Sequence, residues 1–130
     1  MTEKMTEHEI KQIYSYLLDV TRARRLKWKK TGNYEYTVSF SRSSVTLYRD
    51  WEYEDPPVVM NILNEDGLAI AYASARELYQ SESVYSFTLD PSELYELVEE
   101  QVYKYSETSK NILDELGDTY REIYQKRMKS

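Results

Sequence analysis

Apolar residues recur along this chain in two rhythms, and the switches between them divide it into elements. Ile10, Ile13, Tyr14, Leu17, Leu18 and Thr21 follow the three- and four-residue spacing of a helix that buries one stripe. Thr6-Glu7-His8-Glu9 stands just ahead of that stripe with the S/T-x-x-E form of a capping box. Together they predict a helix over 6–24.

The rhythm then changes to strict alternation. Tyr34, Tyr36, Val38 and Phe40 interleave with polar residues, and Val45, Leu47, Arg49, Trp51 and Tyr53 do the same. This is the pattern of half-buried strands. The polar link Ser41–Ser44 predicts a hairpin that sets Phe40 opposite Val45, Val38 opposite Leu47, Tyr36 opposite Arg49 and Tyr34 opposite Trp51. Leu26–Lys30 reads as an earlier edge strand with Trp28 pointing inward. Pro56-Pro57 breaks the chain, and Val58–Asn64 and Leu68–Ala73 form a second hairpin. Its turn, Asn64-Glu65-Asp66-Gly67, has the chemistry of a type I turn closed by a left-handed glycine. A three-residue loop there opposes Ile62 to Ile70 and Met60 to Tyr72. The stretch 76–82 has no clear rhythm. Tyr85, Phe87 and Leu89 mark a last strand.

Helical spacing returns after Asp90-Pro91, which reads as an N-cap followed by proline in the first turn. Leu94, Leu97, Val98 and Gln101 mark one face. Ser106–Ser109 reads as an interruption, after which Ile112, Leu113, Leu116, Tyr120, Ile123 and Tyr124 resume the period. The predicted fold class is α+β, a single domain over 1–130. An N-terminal helix leads into an antiparallel meander of about five strands, and C-terminal helices pack on the sheet.

Composition sharpens this picture. The 130 residues include fourteen tyrosines, two phenylalanines and no cysteine. Tyrosine suits sites with one dry end and one wet end, which describes binding surfaces as well as cores. The absence of cysteine excludes disulfides and thiolate zinc sites and fits the cytoplasm. No run is long and apolar enough for a membrane span, and the first ten residues lack a signal-peptide pattern.

The inventory for catalysis is sparse. His8, the only histidine, lies among surface-type residues, and glycines at 32, 67 and 117 cannot form a phosphate-binding loop. No catalytic residue, metal site or cofactor is assigned, and the chain is read as a non-enzyme.

Two surfaces offer binding chemistry. The first is the sheet face opposite the main apolar set, where Tyr48, Val59, Leu63, Ala69 and Ala71 make an unusually apolar patch. Either the C-terminal helices cover it, or it meets a protein partner or a second copy of the chain. The second is the cationic stretch Arg22, Arg24, Arg25, Lys27, Lys29 and Lys30, with Trp28 inside it. Cations there could hold phosphate while the indole stacks a base. The net charge of −6 argues against nucleic acid as the main partner. The bland reading has the cations close a helix and guard an edge strand. The acidic stretch Asp90–Glu100 reads as a solvated face.

The segments LKWKKTGNYEYTVSF, VVMNILNEDG and SFTLDPSELYELV resemble the small α+β proteins of bacterial phages, prophages and neighbouring operons. The resemblance spans most of the chain. Some such proteins inhibit bacterial defence proteins, the anti-CRISPR proteins among them. It implies a non-enzymatic inhibitor that binds a bacterial defence protein, with no functional residue carried over. Nucleic-acid binding through 22–30 is the first alternative. An antitoxin or immunity protein, or a small-ligand binder, is the next.

Overall fold

The computed structural model describes residues 5–75 and 85–129. Helix α1 (Glu7–Arg22) opens on the expected capping box. Thr6 Oγ1 accepts from the Glu9 N–H at 3.1 Å, and the Thr6 N–H donates to Glu9 Oε1 at 3.0 Å. The backbone bond from Thr6 is the main reason the Glu9 carboxyl lies below its ordinary pKa.

Six strands follow: β1 (Lys29–Gly32), β2 (Glu35–Ser39), β3 (Ser44–Arg49), β4 (Val58–Leu63), β5 (Ala69–Ser74) and β6 (Tyr85–Thr88). They form one sheet in chain order. β1 to β5 are antiparallel neighbours, whereas β6 runs parallel to β5. The expected meander therefore ends at β5. Helices α2 (Ser92–Tyr103) and α3 (Tyr105–Lys129) complete the α+β fold. The ambiguous stretch 76–82 lies outside the described residues.

Both hairpin registers differ from expectation, for different reasons. In the β2–β3 hairpin, Val38 pairs with Val45 and Tyr36 with Leu47. The Phe40 N–H donates to the Ser43 carbonyl at 2.8 Å, so the loop is only Ser41-Arg42. Two-residue loops are the favoured hairpin closure. The shift is two residues, so every side chain keeps its face, but Phe40 moves to the end of the sheet and is exposed.

In the β4–β5 hairpin the turn forms as expected. Gly67 adopts φ 79°, and Asn64 Oδ1 accepts from the Asp66 and Leu68 N–H groups. Between Ile62 and Leu63 the register then slips by one. Ile62 meets Ala71 and Met60 meets Ala73. That bulge turns Ala71 and Ala73 into the core and leaves Ile70 exposed.

The core lies on one side of the sheet, under α1 and α2. Ile10 and Leu17 from α1 and Leu94, Tyr95 and Val98 from α2 cover Tyr36, Leu47, Met60 and Ile62. Burying each such side chain contributes about 1.5–3 kcal/mol. Leu94 and Val98 hold the α2 stripe expected of them. Cross-links join the two helices: Arg22 pairs with Glu93, and the Gln101 side chain donates to the Thr21 carbonyl at 2.7 Å.

The start and end of α2 depart from expectation. Pro91 occupies the N-cap position, and Asp90 Oδ1 accepts from the Ser92 N–H one step outside the helix. The break between the helices falls at Lys104, in left-handed conformation (φ 54°, ψ 44°), rather than at Ser106–Ser109. α3 runs unbroken through those residues and through Gly117. α2 packs on the sheet as expected; α3 does not lie down on it and leaves its apolar side chains exposed.

Candidate functional site

Two neighbouring features carry the binding chemistry of the described residues: an aromatic cluster at one end of the sheet, and the helix that leaves it. The cluster forms where the β1–β2 turn meets the end of α2. Tyr34 sits in that turn at φ 58°, a conformation that bulky side chains rarely adopt. Its carbonyl holds it there by accepting from the Arg49 N–H and the Tyr95 hydroxyl, both at 3.3 Å. Its ring meets Trp51 edge-on, with centroids 4.9 Å apart. Both rings are exposed. Non-glycine residues in such backbone conformations concentrate at functional sites.

Deeper in the cluster, Tyr36 packs edge-on against Tyr95 and Tyr103, at 5.5 and 6.3 Å. Arg49 lies 5.0 Å from the Tyr95 ring centroid and Lys30 lies 5.4 Å from that of Tyr103. Tyr103 and Tyr105, one on each side of the helix break, stack at 5.2 Å with planes 5° apart.

The hydroxyls in this cluster differ in acidity. The neighbouring Lys30 ammonium lowers the pKa of the Tyr103 hydroxyl, and Tyr103 in turn raises that of Lys30. Tyr36 moves upward, first through burial and then through its hydroxyl neighbour Tyr103 and the Glu99 carboxylate. Two acceptors lie near its one proton, and the charged Glu99, at 3.3 Å, is the stronger. Lys30, Tyr36, Glu99, Tyr103 and Tyr105 line a hollow of about 350 Å³. Ring faces, one cation and one carboxylate suit recognition.

α3 continues from Tyr105 for 25 residues. Ile112, Leu113, Leu116, Tyr120, Ile123 and Tyr124 lie along it, each between 49% and 69% exposed. The helical period was legible in the sequence, but a period shows only that a face exists and is silent on what covers it.

The sheet patch expected from the sequence is dispersed. Tyr48 pairs with Val59 and Leu63 with Ala69 on the side away from the helices, and Val59 is fully buried there. Between these rows runs a polar ladder in which Thr37 bonds Thr31 and Thr46, each at 2.9 Å, with Asn61 next in line. The bulge places Ala71 in the core on the opposite side. The five residues therefore form no continuous surface, and Val59 and Ala71 are inaccessible.

The cationic stretch divides as well. Arg22 is engaged with Glu93 and Asp19. Trp28 is buried, as expected, and its indole N–H donates to Thr21 Oγ1 at 3.0 Å. Only 7% of it is exposed, at the floor of the hollow that Arg24, Lys27 and Lys104 share, which leaves little ring face for a base. Lys29 and Lys30 stand on the edge strand β1, and Lys30 turns to Tyr103. Arg25 is exposed. Arg24 and Lys27 join Lys104 around a hollow of about 290 Å³ beside Gln101.

A third surface was missed from the sequence. Ile13, Leu17, Leu26, Phe40, Val45 and Ile62 line an apolar groove of about 320 Å³ between α1 and the β2–β3 turn. Among the described residues no group of three or more His, Asp or Glu side chains could hold a metal ion, and no helix is long and apolar enough to cross a membrane. No protein-family model, curated protein or solved structure matches this chain.

Proposed function

We propose that this chain is a non-enzymatic protein-binding domain whose docking element is α3, with the aromatic cluster at its base. The exposed stripe of α3 carries the reading. Six large apolar side chains on one helix make a contiguous surface of the kind that monomers seldom leave in water. The helix-in-groove mode of recognition uses the same spacing of anchors. The adjoining tyrosines and Trp51 are residue types enriched in protein interfaces. The resemblance to mobile-element proteins makes a bacterial defence protein the first heterologous partner to try.

A photo-crosslinking side chain at Leu116 tests this in cells. The expected result is protein crosslinks well above those from the same group at Lys11, on the polar face of α1. Equal, background-level crosslinking at both positions would overturn the reading.

The alternative, nucleic-acid binding, has one observation in its favour, the Arg24, Lys27 and Lys104 hollow. Three cations predict weak and strongly salt-dependent binding. Binding that survives Arg24→Glu with Lys27→Glu removes this alternative.

A further inference from the structure

We infer that the partner of α3 is α3 of a second copy of this chain, paired antiparallel in a short two-stranded coiled coil. This rests on the reading of α3 as a docking element and names its occupant.

The spacing of the stripe supports it. Leu113, Leu116, Tyr120 and Ile123 repeat in steps of three and four, the a and d positions of a heptad seam. Turning a second helix end for end about a point beside Asp118 sets Leu113 opposite Ile123 and Leu116 opposite Tyr120. The same operation returns the reverse contacts, so all four layers are filled by one self-complementary surface. That is the requirement of a two-fold interface.

Charge selects the direction. Asp118 and Arg121 already pair with each other at 2.7 Å within the helix. Of the remaining charges, the first half carries Glu107, Asp114 and Glu115 against Lys110. The second half, up to residue 126, balances Lys126 against Glu122. Antiparallel pairing sets the acidic first half against the neutral second half, whereas parallel pairing lays the acidic half on its own copy. In this register only Lys110 and Lys126 flank the seam, and the acids lie on its outer side, where they act across roughly a Debye length of 8–10 Å. The helix dipoles also oppose each other favourably in the antiparallel arrangement.

Gly117 is a third observation. Among the described residues a Cβ there would meet only Arg121 Nη2, at 3.7 Å, so none of them requires glycine. In the proposed pair the two glycines lie side by side at the crossing point, where a missing side chain permits close approach. The seam removes on the order of 1,000 Å² from water, near the lower edge for specific interfaces, so self-association is expected to be weak and concentration-dependent.

Sedimentation equilibrium on the full chain over a concentration series is the first test. The mass is expected to rise from 15.6 kDa toward twice that value. Leu116→Asp with Ile123→Asp should weaken association by about tenfold or more, because each buries a charge in the seam. Both positions are exposed in the monomer, so the fold survives the change, and circular dichroism checks this.

The chain has no cysteine, so single introduced thiols report direction. Antiparallel pairing predicts that Thr119→Cys crosslinks to itself. Ile112→Cys and Lys126→Cys should crosslink only when mixed. If each of those two crosslinks alone, the pairing is parallel and the proposal falls. A wild type that stays monomeric throughout also overturns self-pairing. If that monomer still gives Leu116 crosslinks to another protein, the wider protein-binding reading stands; if it gives none, both fall.

Discussion

Thr21 and Trp28 are joined inside the protein: the indole N–H donates to Thr21 Oγ1 at 3.0 Å, and both residues are buried. The Thr21 carbonyl accepts in turn from Gln101 on α2. One residue thus ties the end of α1 to the approach to β1 and to α2. The basic stretch is held as part of the scaffold, with its aromatic residue turned inward.

Thr21→Val preserves shape but strands the indole N–H. Leaving a buried donor without a partner costs about 1–3 kcal/mol. The midpoint of urea unfolding is expected to fall by the equivalent amount, with an unchanged slope. Thr21→Ser, which keeps the hydroxyl, should retain most of the stability. Equal losses in the two variants would show that packing, and not this bond, holds the junction.

Alkaline pH should destabilise the fold. Burial is the leading reason that Tyr14, Tyr36, Tyr48 and Tyr95 hold their protons above the ordinary tyrosine range. An unfolded tyrosine ionises near pH 10. Above that value the unfolded chain releases protons that the folded chain retains, so stability present below about pH 10 is lost as pH rises. Unfolding midpoints should decline steadily past about pH 10, and Tyr48→Phe should reduce the decline. A flat profile, or one unchanged by Tyr48→Phe, contradicts this account.

Tyr103 shifts the other way because the Lys30 ammonium lies beside it. It should be the first tyrosine of the cluster to ionise, followed by its ultraviolet difference spectrum. Lys30→Met should move that titration upward. An unmoved titration would mean that the contact of Lys30 with Tyr103 is not kept in solution.

Much of this fold was legible in the residues themselves, and the failures have physical causes. The capping box at Thr6 and the turn at Asn64–Gly67 carry local chemistry that specifies local geometry, and both form as read. The β2–β3 register was not legible, because a two-residue slip leaves the same side chains on the same faces and the apolar pattern cannot distinguish the alternatives. The β4–β5 bulge is worse for pattern reading: one residue reverses β5 and moves Ala71 from the expected surface into the core. The helix break fell at Lys104 because a single left-handed residue suffices, and lysine gives no sign of adopting that conformation. Of the candidate site, the helical stripe was visible, while its exposure depends on tertiary placement that periodicity does not encode.

Gly117→Ala separates the intrinsic stability of α3 from its assembly. Replacing a mid-helix glycine with alanine gains about 0.5–1 kcal/mol in an isolated helix. None of the described residues resists the added methyl group. At low protein concentration, circular dichroism should therefore show a more heat-resistant helix. At high concentration the gain should shrink, because the close crossing loses room. A gain that is the same at every concentration would remove Gly117 from the interface.

The central claim is that the apolar stripe of α3 is a docking surface that a second copy covers. Amide hydrogen exchange read by mass spectrometry, on the intact chain at low and at high concentration, addresses it directly. The predicted result is added protection across residues 112–124 at high concentration, with α1 and the sheet unchanged and the effect abolished by Leu116→Asp with Ile123→Asp. Exchange in α3 that is identical at both concentrations would contradict it.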